Sequence, residues 1–150
     1  TLRKSVVNLG ELLKYIKRQM EPRAERKGIT MTIDVDEHLP LIEADENRLK
    51  QVFINIIDNS FKFTQKGGYI DIIGRKNENG VLIRIEDSGC GIPEEDLPRV
   101  KQRFFKGSNV VSGSGLGLAI CDEIVRLHNG KIDIESTVGK GTRVDVILPV

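Results

Sequence analysis

Two pairs of strand-like runs, each closed on itself by a short glycine-bearing turn, limit this chain more than any other feature. Residues 69–76 and 81–86 are strand-like runs rich in Ile and Val, separated only by Asn77-Glu78-Asn79-Gly80. The Asn-Gly pair there predicts the positive φ angles of a tight hairpin. Residues 131–136 and 142–148 repeat the pattern around Val138-Gly139-Lys140-Gly141. Strands joined this closely pair antiparallel, so the sheet must be rich in antiparallel ladders.

Helix-period segments fill the rest. Leu9, Leu12, Leu13, Ile16 and Met20 recur at steps of three and four from an N-cap at Asn8, and Gly28 ends that helix. Ile29, Met31, Ile33 and Val35 then alternate as in a half-buried strand, and a short strand is expected at 41–44. Asp45 can cap a second helix, whose stripe of Leu49, Val52, Phe53 and Ile56 runs on until Lys66-Gly67-Gly68 terminates it. A Gly- and Ser-rich stretch leads to a third helix at 116–127, closed by Asn129-Gly130. In this order the elements predict an α/β (α+β) fold. It is a two-layer sandwich, with a mixed, mostly antiparallel sheet of about five strands and three main helices packed on one face.

Composition narrows the functional classes. With 150 residues, 39% of them hydrophobic, the chain can build one compact core. A formal net charge of +1 supplies no field for nucleic acid or an anionic membrane, so an anionic ligand must be held by local geometry. No apolar stretch nears the roughly 20 residues that cross a bilayer, and no signal segment opens the chain. A soluble, cytoplasmic domain is expected. Cys90 and Cys121 are too few for a disulfide framework, and no Cys/His cluster has zinc spacing.

Three groups of residues could carry chemistry. On the second helix Asn55, Asn59 and Lys62 are four and three apart, together at one border of the apolar stripe. Amide oxygens there suit Mg²⁺ and the ammonium suits phosphate, but a plain solvated edge has the same pattern. Asp87 shares strand parity with Val81, Ile83 and Ile85, so it points to the face they bury and needs a donor. Ser88-Gly89-Cys90-Gly91-Ile92 follows, and its glycines let the backbone bend around a flat ligand. A turn capped by the Asp side chain is the other reading. Gly113-Ser114-Gly115-Leu116-Gly117-Leu118 opens the third helix, where free N–H groups attract phosphate, though flexible loops share this composition.

Taken in order, residues 55–63, 87–92, 103–106, 113–119 and 139–142 resemble the N, first glycine, F, second glycine and third glycine boxes of sensor histidine kinase catalytic domains. The resemblance runs from Val6 to Pro149. The wider superfamily includes ATPase domains of type II topoisomerases, a heat-shock chaperone and mismatch-repair proteins. The resemblance implies binding of ATP with Mg²⁺, the metal held by Asn59 directly and by Asn55, and phosphate reached by Lys62. Phe63 packs on adenine in this reading, Asp87 accepts from its exocyclic amine, and Gly89, Gly91 and Ile92 shape the base pocket. Gly113, Ser114, Gly115, Leu116, Gly117 and Leu118 lie beside the phosphates, Lys106 belongs to the F box, and Thr142 closes the pocket. A lid over ATP is expected at 104–114. Lys101 and Gln102 depart from the F box, which usually has an aromatic and then an acidic residue there.

The resemblance further implies that residues 29–150 form the catalytic domain and that 1–28 is a helix continuing from a dimerisation domain. That domain would carry the phosphoacceptor histidine, and a response regulator would take the phosphoryl group next. The chain itself is expected to be monomeric and its parent a homodimer. His38, in a turn, and His128, beside a helix stop, lack the His-Glu-x-x-x-Pro pattern of an acceptor and are expected to be structural or solvated. A conformational ATPase, or an anti-sigma serine kinase, would use a Glu as general base where Asn55 stands, and an amide takes no proton from water. A nucleotide-binding module without transfer is the remaining alternative.

Overall fold

A computed structural model describes residues 2–95 and 115–150. A five-stranded sheet has the order β2-β4-β5-β7-β6, formed by β2 (Thr30–Val35), β4 (Tyr69–Asn77), β5 (Gly80–Asp87), β6 (Lys131–Thr137) and β7 (Gly141–Pro149). β2 and β4 run parallel because α2 (Glu46–Phe63) crosses between them, and every other pair in this sheet is antiparallel. α1 (Leu9–Lys27), α2 and α3 (Gly115–Leu127) complete the two-layer sandwich. The mixed sheet and three helices match the expectation.

Sequence signals set the helix ends. Asn8 accepts the Glu11 N–H at 3.1 Å to start α1, and Gly28, at φ 69°, closes it. Asp45 accepts from the Arg48 N–H at the start of α2. α2 stops at Phe63, ahead of the expected Lys66-Gly67-Gly68, because Thr64 is already extended. The buried stripe, with Phe53, Ile56, Ile57 and Phe61 all at most 1% exposed, packs on α3 and on Ile70, Ile72, Ile83 and Ile85 of the sheet. At about 25 cal/mol per Å² of apolar area, such a stripe outweighs any propensity along the helix.

Two features differ from the sequence reading. A short strand, β1 (Ser5–Val7), pairs antiparallel with β3 (Ile42–Ala44) in a separate two-stranded sheet. Three residues are too few for an alternation to show. The β4–β5 hairpin forms, but neither Asn79 nor Gly80 has a positive φ. Gly80 serves a different need, since a Cβ there would lie 2.0 Å from the Leu148 carbonyl oxygen on β7.

Candidate functional site

β5 is the central strand, and its C-terminal end is where the site collects. Register sets Asp87 opposite Thr142 of β7 and Ile70 of β4. The C-terminal half of α2 and the start of α3 close over this end. Asn59, Phe63, Asp87, Ile92, Leu118 and Thr142, all expected at the site, line one cleft together with Ile56, Ser60 and Val144.

Asp87 is buried as its strand parity predicted, at 5% exposure. Its Oδ1 accepts the N–H of Gly89 at 2.8 Å and that of Thr142 at 3.3 Å, and the Ser60 hydroxyl also bonds the carboxylate. The turn-capping reading is therefore realised, while both backbone donors use the same oxygen. Burial pushes the Asp87 carboxyl above the ordinary carboxylate range, and the bonds from Gly89, Ser60 and Thr142 offset part of that cost. A buried acceptor surrounded by Ile56, Ile92, Leu118 and Val144 suits a flat, mostly apolar ligand that offers one donor.

The glycines act on the protein's own backbone. A Cβ on Gly89 would meet the Phe63 carbonyl oxygen at 2.6 Å, and one on Gly91, whose φ is 81°, would meet that of Thr137 at 2.3 Å. The loop after β5 can thus press against the end of α2 and the β6–β7 turn, with Cys90 N–H donating to the Phe63 carbonyl at 3.1 Å. Close approach to the protein's own backbone is what these glycines permit here, and it builds the cleft wall.

Not every nominated residue joins the cleft. The Asn55 side chain hydrogen-bonds the buried thiol of Cys121 on α3, between the two helices, and burial pushes that thiol up to about 12. Lys62 faces Asp58, with Nζ 3.5 Å from Oδ2. Gly115, Leu116 and Gly117 form the first turn of α3, as expected of a glycine-rich helix start. Lys106, Gly113 and Ser114, the lid and the Lys101 and Gln102 departures lie outside the described residues.

Sequence reasoning missed two hydroxyls. Ser60 follows Ile56 by one turn on the apolar stripe, and a polar residue on a buried stripe was the available signal. Ser136 accepts the Ile92 N–H at 2.6 Å, donates to the Gly141 carbonyl at 3.0 Å and lies 2.8 Å from the Thr142 Oγ1. Nothing local in a strand of alternating polar residues marks that role. His128 is 5% exposed and bonded through both ring nitrogens, so its role is structural.

Residues 44–150 match the family model described as histidine kinase-, DNA gyrase B-, and HSP90-like ATPase. The chain belongs to that family, as a sensor histidine kinase catalytic and ATP-binding domain. The sensor histidine kinase YclK of Bacillus subtilis (strain 168) is 37% identical over 155 residues, which cover 100% of the chain and 32% of YclK. The chain thus spans about a third of that relative's length. The nucleotide-free catalytic domain of histidine kinase ThkA superposes with a TM-score of 0.88 at 30% identity, covering 99% of this chain and 98% of that one. ThkA in complex with its response regulator protein TrrA gives 0.82 at 29% identity, over 97% and 41% of the two chains. Full-length ShkA in complex with AMPPNP gives 0.88 at 28%, over 100% of this chain and 32% of that one. No described helix is long and apolar enough to cross a membrane.

Proposed function

We propose that this domain binds ATP with Mg²⁺ in the cleft at the end of β5 and delivers the γ-phosphoryl group to a histidine on a separate dimerisation domain. A response regulator would receive it next, as the pairing of ThkA with TrrA supports. The observation that carries the reading is Asp87, a buried carboxylate among apolar walls, beside Asn59, Phe63 and Thr142. Asp87 accepts the exocyclic amine of adenine, Phe63 packs against the base, and Gly89, Gly91 and Ile92 hold the wall. The N–H groups of the α3 start, at Gly115, Leu116 and Gly117, would face the phosphates, and Lys62 adds a cation.

The donor set suits Mg²⁺ that arrives with the nucleotide. Among the described residues no three His, Cys, Asp or Glu side chains form a metal cluster. Mg²⁺ takes oxygen ligands and is commonly shared between one or two protein groups, phosphates and water. Asn59 is the cleft's amide and would be that protein ligand; Asn55, turned to Cys121, is the poorer one. When bound, the ion neutralises charge developing between the β- and γ-phosphates.

Transfer is favoured over hydrolysis because the position that a conformational ATPase gives to a Glu general base is here Asn55, an amide bonded to a thiol. Residues 1–28 are proposed to lead in from the dimerisation domain, with α1 packed against the catalytic core.

Calorimetry with ATP and GTP tests the base pocket. Guanine places a carbonyl oxygen where adenine has its amine, so Asp87 would face an acceptor. ATP should bind at least tenfold more tightly, and equal affinities would remove Asp87 from the base site.

A further inference from the structure

We propose that Arg23, on α1, is a positioning residue for the nucleotide site. It engages Asp58 and thereby leaves the Lys62 ammonium available to phosphate. The inference rests on the role of Lys62 given above. Its basis is a single carboxylate on α2 that faces two cations from two elements.

The two contacts are unequal. Arg23 donates from an NH1 nitrogen to Asp58 Oδ1 at 2.6 Å, a short charge-assisted bond. Lys62 Nζ stands 3.5 Å from Oδ2, beyond the usual 2.7–3.2 Å of an N–H···O bond. The guanidinium also lies over the Phe61 ring, 4.6 Å from its centroid, and Phe61 is itself 1% exposed. That ring is fixed in the core, so it fixes the direction from which Arg23 approaches Asp58. Lys62 has no such restraint.

Without Arg23 the balance changes. Asp58 and Lys62 are four apart on α2, with the acid N-terminal to the base, the better orientation for a helical ion pair. A carboxylate released by Arg23 would close on Lys62, and phosphate would have to compete with it. Asp58 is followed at once by Asn59, so the contact also seats α1 on the turn of α2 that enters the cleft. A displacement of α1 is thereby transmitted to Lys62. All three charged side chains are about a third exposed, which limits the effect to that of a partly solvated pair.

Calorimetry with AMPPNP and Mg²⁺ on the chain and its variants tests the proposal, once circular dichroism has shown each to be folded. Lys62→Ala should weaken binding. Arg23→Gln should weaken it about two- to fivefold, the fold-change of a pair in this exposure range. Asp58→Asn should bind no worse than the parent. The double variant Arg23→Gln/Asp58→Asn should return to parent affinity, which loss of packing on Phe61 could not produce. Parent affinity in Arg23→Gln alongside weak binding in Lys62→Ala would overturn the proposal and leave the Lys62 role standing. Weak binding that persists in the double variant would also overturn it. Parent affinity in Lys62→Ala would remove Lys62 from the site, and with it both the earlier assignment and this one.

Discussion

The backbone N–H of Asp45 donates to Nε2 of His128 at 3.0 Å, joining the start of α2 to the end of α3. The other ring nitrogen, Nδ1, lies 2.9 Å from the Ile124 carbonyl oxygen. Because Nε2 accepts, the hydrogen on Nδ1 is the one that reaches the Ile124 carbonyl. Asp45 meanwhile caps α2 through Arg48 and takes the Arg3 N–H at 2.9 Å, so one junction secures the N-terminal segment, α2 and α3.

Replacing His128 therefore leaves a buried N–H without a partner. His128→Ala should lower unfolding free energy by about 1–3 kcal/mol, the cost of an unmet buried donor, measured by urea denaturation. Because the ring sits past the C-terminal end of α3 while the cleft residue Leu118 is near its start, the folded variant should keep its ATP affinity. Unchanged stability would contradict the assigned bond.

Asp87 gives stability a defined dependence on pH. Its carboxyl is raised by burial above the unfolded value near 3.8, so the native state holds the proton more strongly than the unfolded chain. The stabilisation from this group is complete below that unfolded value and is lost as pH rises through the raised folded one. Asp87→Asn does not titrate, so its stability relative to the parent should improve as pH goes from about 4 to 7. A difference independent of pH would show that burial does not perturb Asp87. Asp87→Ala, if folded, should lose about 1.5–3 kcal/mol of ATP affinity by calorimetry, roughly tenfold to over a hundredfold.

The third glycine box separates conformation from space. Gly139 and Gly141 both have positive φ, 83° and 131°. A Cβ on Gly139 meets nothing within 4 Å, whereas one on Gly141 would sit 2.0 Å from the Asp87 carbonyl oxygen. Gly139→Ala should cost about 1–2 kcal/mol, the left-handed penalty alone. Gly141→Ala should cost more, because β7 must move away from β5 beside Asp87. Thermal melts that rank the two equally would contradict this account.

Most of the fold was legible because each element carries its own signal. Asn8 and Asp45 stand where helices must begin, Gly28 and Asn129 where they stop, and Asp87 keeps parity with Ile83 and Ile85 on β5. What sequence could not disclose depends on contacts between distant segments. Gly80 looked like a turn residue and is a close-packing one, set by Leu148 on another strand. Ser136 matters through Ile92 and Thr142, and Asn55 turns to Cys121, 66 residues on (121 − 55). Spacing placed Asn55, Asn59 and Lys62 on one helical border, but Asn55 turns to Cys121 on α3, Lys62 lies beside Asp58 on its own helix, and Asn59 lines the cleft.

Phosphoryl transfer can be followed between the two separate domains. The purified chain would be mixed with the separately made dimerisation domain of its parent kinase and ATP labelled in the γ-phosphate. Acid-labile label should appear on the dimerisation domain and none on this chain alone, since His128 is buried and His38 lies in a surface turn without an acceptor helix. Acid-labile label on the isolated chain, or release of inorganic phosphate without any label on the dimerisation domain, would contradict the proposed transfer.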